Sequence, residues 1–157
     1  MNSYMQFIQG IIDGKVPPPP IAQLLGFRIT DYCEGCTTIE IDVDERLYNP
    51  MGTLHGGVYC DIADAAMGIS FFTTLGPNET FTTIDLGMTF LRPVKRGKLV
   101  ASSKILKRGK LLGYLECEIT DAEGNMVAKA SSTCMVLKSG KKTNFEEIAE
   151  KLSGSEE

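Results

Sequence analysis

The reading of this chain turns on His55-Gly56-Gly57-Val58-Tyr59-Cys60-Asp61-Ile62-Ala63-Asp64-Ala65-Ala66-Met67-Gly68-Ile69-Ser70-Phe71-Phe72. Val58, Ile62, Ala65/Ala66, Ile69 and Phe72 recur at helical spacing, which predicts a helix from Gly56 to Leu75, ended by Gly76-Pro77-Asn78. Apolar residues occupy most of its sides, so other elements must wrap around it. Gly68 in its middle costs roughly 1 kcal/mol against alanine and marks close packing.

The wrapping elements lie on either side. Upstream, residues 26–33 and 37–43 alternate in the β manner around the turn Glu34-Gly35, with Thr37, Ile39, Ile41 and Val43 on one face. A loop follows from Arg46 to Leu54. Downstream come β segments at about 80–92, 97–108, 111–121 and 126–137, with turns at Gly109-Lys110 and Glu123-Gly124-Asn125. Alternation weakens around Lys104 and Leu106. The order predicts an α+β fold in which a curved antiparallel β-sheet wraps one long central helix. At the ends, residues 3–12 form a helix with Tyr4, Phe7, Ile8 and Ile11 on one side, and Pro17 to Pro20 force an extended connector. Asn144 and Glu147 resemble an N-cap and capping box for a short last helix with a stripe of Phe145, Ile148, Ala149 and Leu152. We divide the chain into an N-terminal helix and connector (1–20), the central domain (21–138) and a tail (139–157).

At 157 residues one domain is expected. The net charge of −4 argues against a general nucleic-acid binder. No apolar run approaches the ~20 residues that span a bilayer, so no membrane partner is expected. The N-terminus has no basic leader or long apolar core and carries Asp13, so a cytoplasmic protein is the expectation. Cysteines stand at 33, 36, 60, 117 and 134. Cys33 and Cys36 form a C-x-x-C, but no second pair or histidine cluster completes a zinc site, and no metal is expected. An odd number of cysteines in a cytosolic chain reads as free thiols.

The start of the central helix has chemistry to offer. A helix N-terminus presents free N–H donors and the positive end of the macrodipole. Gly56 and Gly57 lack Cβ atoms, so a ligand oxygen can approach the backbone, as a carbonyl gaining negative charge in acyl transfer requires. Asp64, among Ile62, Ala63, Ala65, Ala66 and Met67, is an acid that would be costly to bury without a purpose. Asp61 is its rival, but it falls where an acid simply complements the helix dipole. Gly56 and Asp64 are eight residues apart, or about 12 Å of helix rise. Two groups acting on one carbonyl must each come within roughly 3 Å of it. The separation therefore predicts a two-fold dimer with antiparallel central helices, each setting its start against the partner's Asp64.

The run Asn49-Pro50-Met51-Gly52-Thr53-Leu54-His55-Gly56-Gly57, with an acid nine residues after the histidine, resembles the hotdog-fold acyl-CoA thioesterases of the PaaI-like (phenylacetate-pathway) type. The resemblance extends upstream through Pro19-Pro20-Ile21-Ala22-Gln23-Leu24-Leu25-Gly26-Phe27 and downstream through Thr83-Ile84-Asp85-Leu86 and Phe90-Leu91-Arg92-Pro93. It covers roughly residues 19–137 and implies hydrolysis of an acyl-CoA thioester without a cofactor. By that resemblance the Gly56 N–H polarises the carbonyl, and Asp64 of the partner copy acts as nucleophile or as general base on water. Asn49 and Thr83 orient the water or carboxylate, and His55 braces the loop. Relatives often carry Ser where Thr83 stands; threonine keeps the hydroxyl and adds a methyl. The family also forms tetramers, which implies a dimer of dimers here.

Arg92, Lys95, Arg96, Lys98, Lys104, Lys107, Arg108 and Lys110 run without an intervening acid. Such a bias suits the phosphates of coenzyme A, with Arg92, Lys95, Arg96, Lys107, Arg108 and Lys110 as candidates and Lys107 and Arg108 foremost. Gly57, Val58, Ile62, Phe71, Met88 and Phe90 are candidates to line the acyl pocket between two helices. Two other readings compete: a non-catalytic acyl-CoA-binding module, which needs no acid at position 64, and a hydroxyacyl-thioester dehydratase, which wants a catalytic histidine paired with an acid. A Ser-His-Asp triad is disfavoured because no G-x-S-x-G elbow is present.

Overall fold

The computed structural model describes residues 2–154. Ten elements carry the fold: α1 (Ser3–Ile12), α2 (Pro20–Leu25), β1 (Arg28–Cys33), β2 (Cys36–Val43), α3 (Gly56–Phe72), β3 (Glu79–Phe90), β4 (Gly97–Arg108), β5 (Leu112–Thr120), β6 (Met126–Lys138) and α4 (Asn144–Ser153). A 3-10 turn at Glu45–Leu47 precedes α3. The strands form one antiparallel sheet in the order β1-β2-β4-β5-β6-β3, so β1 and β3 are its edges. The expected α+β architecture is present, with α3 held against strands β2 to β6.

Alternation explains how the sheet grips the helix. Thr37, Ile39, Ile41 and Val43 of β2 are buried, as are Leu99 and Ala101 of β4, Leu115, Cys117 and Ile119 of β5, and Ala130, Cys134 and Val136 of β6. Against them lie Ile62, Ala63, Ala66, Met67 and Phe71 of α3, all at 0% exposure. Each large apolar side chain so buried contributes about 1.5–3 kcal/mol. Two buried serines stitch helix to sheet: Ser103 Oγ on β4 donates to Ala66 O at 2.8 Å and meets Ser70 Oγ.

Several elements differ from the sequence reading, each for a local reason. The central helix stops at Phe72, because Thr73 and Thr74 turn their hydroxyls onto the carbonyls of Ser70 and Phe71, both at 2.7 Å. Pro20 is not part of the extended connector: it opens α2, where a first-turn proline loses no hydrogen bond. The last helix is capped by Thr143 with Glu146 as its box partner, one residue before the expected Asn144 and Glu147. Weak alternation in β4 reflects a bulge between Ile105 and Lys107. Cys33 and Cys36 are joined by a disulfide, not free: the two-residue turn sets them opposite each other in register, with Cα atoms 5.0 Å apart. Cys60, Cys117 and Cys134 are free, and burial pushes the Cys117 thiol up to about 12.

Candidate active site

The loop before α3 is organised by Asn49. Its Oδ1 accepts from Met51 N at 3.0 Å and Thr53 N at 3.1 Å, while Nδ2 donates to Thr53 Oγ1 at 3.0 Å. Side-chain-to-backbone bonds of this kind fix a turn without a ladder. Leu54 N donates to Val94 O and His55 N to Leu47 O, which pins the entrance of α3. Asn49 is thus committed within its own loop, where the sequence reading had it orienting water or a carboxylate.

His55 is the N-cap of α3, and its Nδ1 accepts from Gly57 N at 2.9 Å. The Nδ1 lone pair of the ring is thereby committed to the helix start. A Cβ on Gly57 would stand 3.0 Å from that Nδ1. At Gly56 a Cβ would stand 3.1 Å from Phe90 Cζ, because the Phe90 ring packs over the helix start, edge-on to Tyr59 at 5.5 Å between centroids. With the Gly57 N–H engaged by His55, the Gly56 N–H is left with no acceptor among the described residues. Helix polarity adds partial positive charge at the same point.

Asp64 lies two turns further along the same helix, about 12 Å away by helical rise. It is exposed rather than buried, because Gly57, Cys60, Asp61, Asp64 and Ala65 fall on the side of α3 away from the sheet. Thr83 Oγ1 of β3 donates to Asp64 Oδ1 at 3.2 Å. Asp61, one turn earlier, is also exposed. Its carboxyl is pushed up by partial desolvation and by the charge of Asp64, and pulled back by His55. The two acids and the histidine therefore share one electrostatic environment along the uncovered stripe.

An apolar cavity of about 650 Å³ opens beside Asp64 and Thr83. The sequence reading missed its walls. On α3 they are Ala65, Gly68, Ile69 and Phe72, the residues one, four, five and eight beyond Asp64; projecting the helix from Asp64 would have found them. Of the expected lining residues, Ile62 and Phe71 are fully buried in the core and Val58 is 7% exposed, so none of the three lines this cavity. Met88 is half-buried against the core, and Phe90, 55% exposed, belongs to the helix start.

The basic run divides in two. The Val94–Gly97 turn and the Lys107–Lys110 turn sit at opposite ends of the twelve-residue β4, roughly 35–40 Å apart. Carboxylates already engage several of these residues: Arg96 pairs with Glu45 at 2.8 Å, Lys98 with Glu40 at 3.0 Å, Lys104 with Glu116 at 3.2 Å, and Arg92 reaches Asp121 at 3.9 Å. Arg108 lies over the Phe71 ring, 4.7 Å from its centroid, and its Nε donates to Thr74 Oγ1 at 3.0 Å. Lys95, Lys107 and Lys110 are exposed and have no carboxylate partner among the described residues. No group of three or more metal-ligating side chains gathers among the described residues, and no helix there is long and apolar enough to cross a membrane.

A sequence profile of the thioesterase superfamily matches residues 51–128, the stretch from the Asn49 loop through α3 to β6. The chain is 26% identical over 136 residues to acyl-coenzyme A thioesterase 13 of Homo sapiens, covering 85% of this chain and 96% of that one. It is 25% identical over 121 residues to the 1,4-dihydroxy-2-naphthoyl-CoA hydrolase of Listeria monocytogenes, covering 77% and 98%. Among solved structures it resembles a phenylacetic acid degradation-related protein of Ralstonia eutropha, with a TM-score of 0.75, 26% identity and coverage of 82% and 98%. The PaaI protein of E. coli shares the fold, with a TM-score of 0.76 at 20% identity, over 88% of this chain and 98% of that one.

Proposed function

The chain belongs to the thioesterase superfamily, as a hotdog-fold acyl-CoA thioesterase of the PaaI-like type, and we propose that it hydrolyses acyl-CoA thioesters at a site shared between two copies. The observation that carries this reading is the division of labour along α3. A free N–H stands at Gly56, and a carboxylate held by Thr83 stands two turns away at the mouth of an apolar cavity. An antiparallel second α3 brings Gly56 of one copy to Asp64 of the other. The uncovered stripe of α3 and the open edge of β3 support that pairing, since both leave surface that a second copy can cover. A dimer of dimers is the further assembly that the family resemblance suggests.

In this reading the thioester oxygen accepts from the Gly56 N–H, which grows stronger as the oxygen gains charge in the tetrahedral state. Asp64 supplies the attack, either forming an acyl anhydride that water then opens or taking a proton from the attacking water. The C–S bond breaks, the coenzyme A sulfur leaves as thiolate and takes a proton, and the acid is released. Thr83 fixes the carboxylate rotamer. His55 holds the helix start open, and Asn49 shapes the loop behind it. Lys95, Lys107 and Lys110, with Arg108, are the cations left for the coenzyme A phosphates; Arg92 and Arg96 already have carboxylate neighbours and take part less. Because β4 separates the two basic turns, the antiparallel dimer draws them from different copies.

The dehydratase reading needs a histidine free to take a proton from carbon, whereas the Nδ1 lone pair of His55 is engaged by Gly57. The binding-module reading leaves the Asp64–Thr83 pair without a purpose. The test is release of free thiol from aryl, short-chain and long-chain acyl-CoAs by wild type and by Asp64→Asn. Tight binding without turnover on every thioester would overturn hydrolysis. Single turnover in 18O-water separates the two roles of Asp64: label entering the carboxylate of the enzyme marks the anhydride route.

A further inference from the structure

We propose that the N-terminal segment, residues 3–27, forms one wall of a channel that selects the length of the acyl group. The inference rests on the thioesterase reading above and deepens it. The cavity beside Asp64 is lined on one side by α3, and on the other by Ile11 and Ile12 of α1, the Pro17–Pro19 connector and Phe27. None of these opposing residues lies within the 51–128 stretch that matches the superfamily profile. The wall is firmly held. Asn2 Nδ2 donates to Thr73 O at 2.8 Å, Tyr32 OH donates to Gln9 Oε1 at 2.9 Å, and Gly10 lets α1 approach Leu152 of α4 so closely that a Cβ would stand 2.8 Å from it.

One end of the channel is chemical and the other is steric. Asp64 and Thr83 stand at the first. At the second, Phe72 of α3, Phe7 of α1 and Phe145 of α4 form an aromatic cluster, with centroids 6.2 Å apart for Phe7–Phe72, 5.1 Å for Phe72–Phe145 and 5.1 Å for Phe7–Phe145. From Asp64 to Phe72 is eight residues of helix, about 12 Å. An extended backbone covers about 3.6 Å in three bonds, so an alkyl chain crosses 12 Å with about ten carbons. Apart from Asp64, the charged residue on the lining is Arg28, which is held by Glu40 and Asp42 at 3.1 and 3.2 Å. Ile12 and Ile21 stay 38% and 45% exposed at the rim, apolar surface that a ligand would cover. The ligand chemistry that fits is a medium-chain or aryl-alkyl acyl thioester of about ten carbons, not an acetyl or a hydroxylated acyl group.

The test compares decanoyl-CoA with butyryl-CoA in wild type, Ile69→Trp and Ile12→Trp. Each buried methylene is worth roughly a fourfold change in affinity. The ratio of kcat/KM for the two substrates should therefore fall at least tenfold in both variants. A ratio is unaffected by the fraction of protein that is folded, and Ile12 sits at the rim, where tryptophan is easily accommodated. Phe145→Ala should move the optimum towards longer chains. An unchanged ratio in both tryptophan variants would overturn the channel while leaving hydrolysis intact. Binding of S-decyl-CoA, a thioether that cannot be hydrolysed, gives a readout independent of turnover. Its Kd should rise at least tenfold in Ile69→Trp, and an unchanged Kd would reject the channel whether or not the protein proves to be a hydrolase.

Discussion

In the proposed reaction the helix start at Gly56, shaped by Gly57 and His55, and the carboxylate of Asp64 act on the same thioester, and Gly57 and Asp64 are each open to a single-atom test. Asp64→Asn keeps the shape and the hydrogen bond from Thr83 but removes the charge and the basicity. It should lower kcat on acyl-CoA at least a hundredfold with an unchanged circular dichroism spectrum. Asp61→Asn should cost less than about tenfold, since Asp61 acts only through the shared electrostatic environment. Were Asp61→Asn the dead variant, the thioesterase class would survive and the assignment of the acid would not. Gly57→Ala sets a Cβ 3.0 Å from His55 Nδ1 and forces the ring off its cap. Alanine is the better helix former by about 1 kcal/mol, so Tm should hold within a few degrees while kcat falls. Thiol-release kinetics beside a thermal melt read both. Residue type and spacing alone single out Gly56, Gly57, His55 and Asp64 as candidates. For Asn49 they do not announce the local bonds that tie the amide to the turn from Met51 to Thr53.

Elements with a strong period were legible and their ends were not. The core-facing residues of β2 lie where the 2-residue repeat puts them, because burial enforces it, whereas on α3 Val58, Ile62 and Ala66 of the helical repeat face the core and Ala65 and Ile69 line the cavity. Pro20 breaks a run of prolines by starting a helix, and Thr143 displaces Asn144 as cap, because several neighbouring residues satisfy the same local rule and tertiary contacts choose among them. For α4 the choice falls to Glu146. It is 7% exposed; its Oε2 accepts from Thr143 N at 2.7 Å and its Oε1 from Asn78 N at 3.0 Å, so it ties α4 to the turn before β3. Desolvation pushes its carboxyl up, but the bonds from Thr143 and Asn78 outweigh that and hold it below the usual glutamate value. A depressed carboxylate stabilises the fold fully above the unfolded-state pKa and loses that contribution as pH falls through the folded-state value. Glu146→Gln should cost about 1–2 kcal/mol at pH 7 and much less near pH 3, measured by urea unfolding at both values. A second strain point is Gly113, where a Cβ would run into the Phe71 ring. Gly113→Ala should destabilise by about 1–3 kcal/mol, because that ring is fully buried and has nowhere to go.

At the scale of the whole molecule, the sequence suggests a shared site and leaves the cavity unread. A shared site is proposed on one number, the rise of a helix between Gly56 and Asp64, which any fold must respect. The cavity depends on α1, α2 and α4 arriving beside α3 from distant parts of the chain, and no local period encodes that meeting. A shared site makes a prediction that no single-copy site can match. Asp64→Asn and Gly57→Ala should each lose most activity alone, the first through its carboxylate and the second through its displaced helix start. When the two are mixed and allowed to exchange subunits, half the dimers are heterodimers by chance. In each heterodimer one site receives the intact helix start of the first variant and the intact Asp64 of the second, while its other site receives both defects. Activity should therefore return to about a quarter of wild type, and should rise over the time that subunits take to exchange. If each copy instead held a complete site, mixing would restore nothing. Light scattering on the same samples supplies the companion measurement: activity should follow the dimer and fall as dilution releases monomers, since a lone Gly56 cannot reach the Asp64 on its own helix.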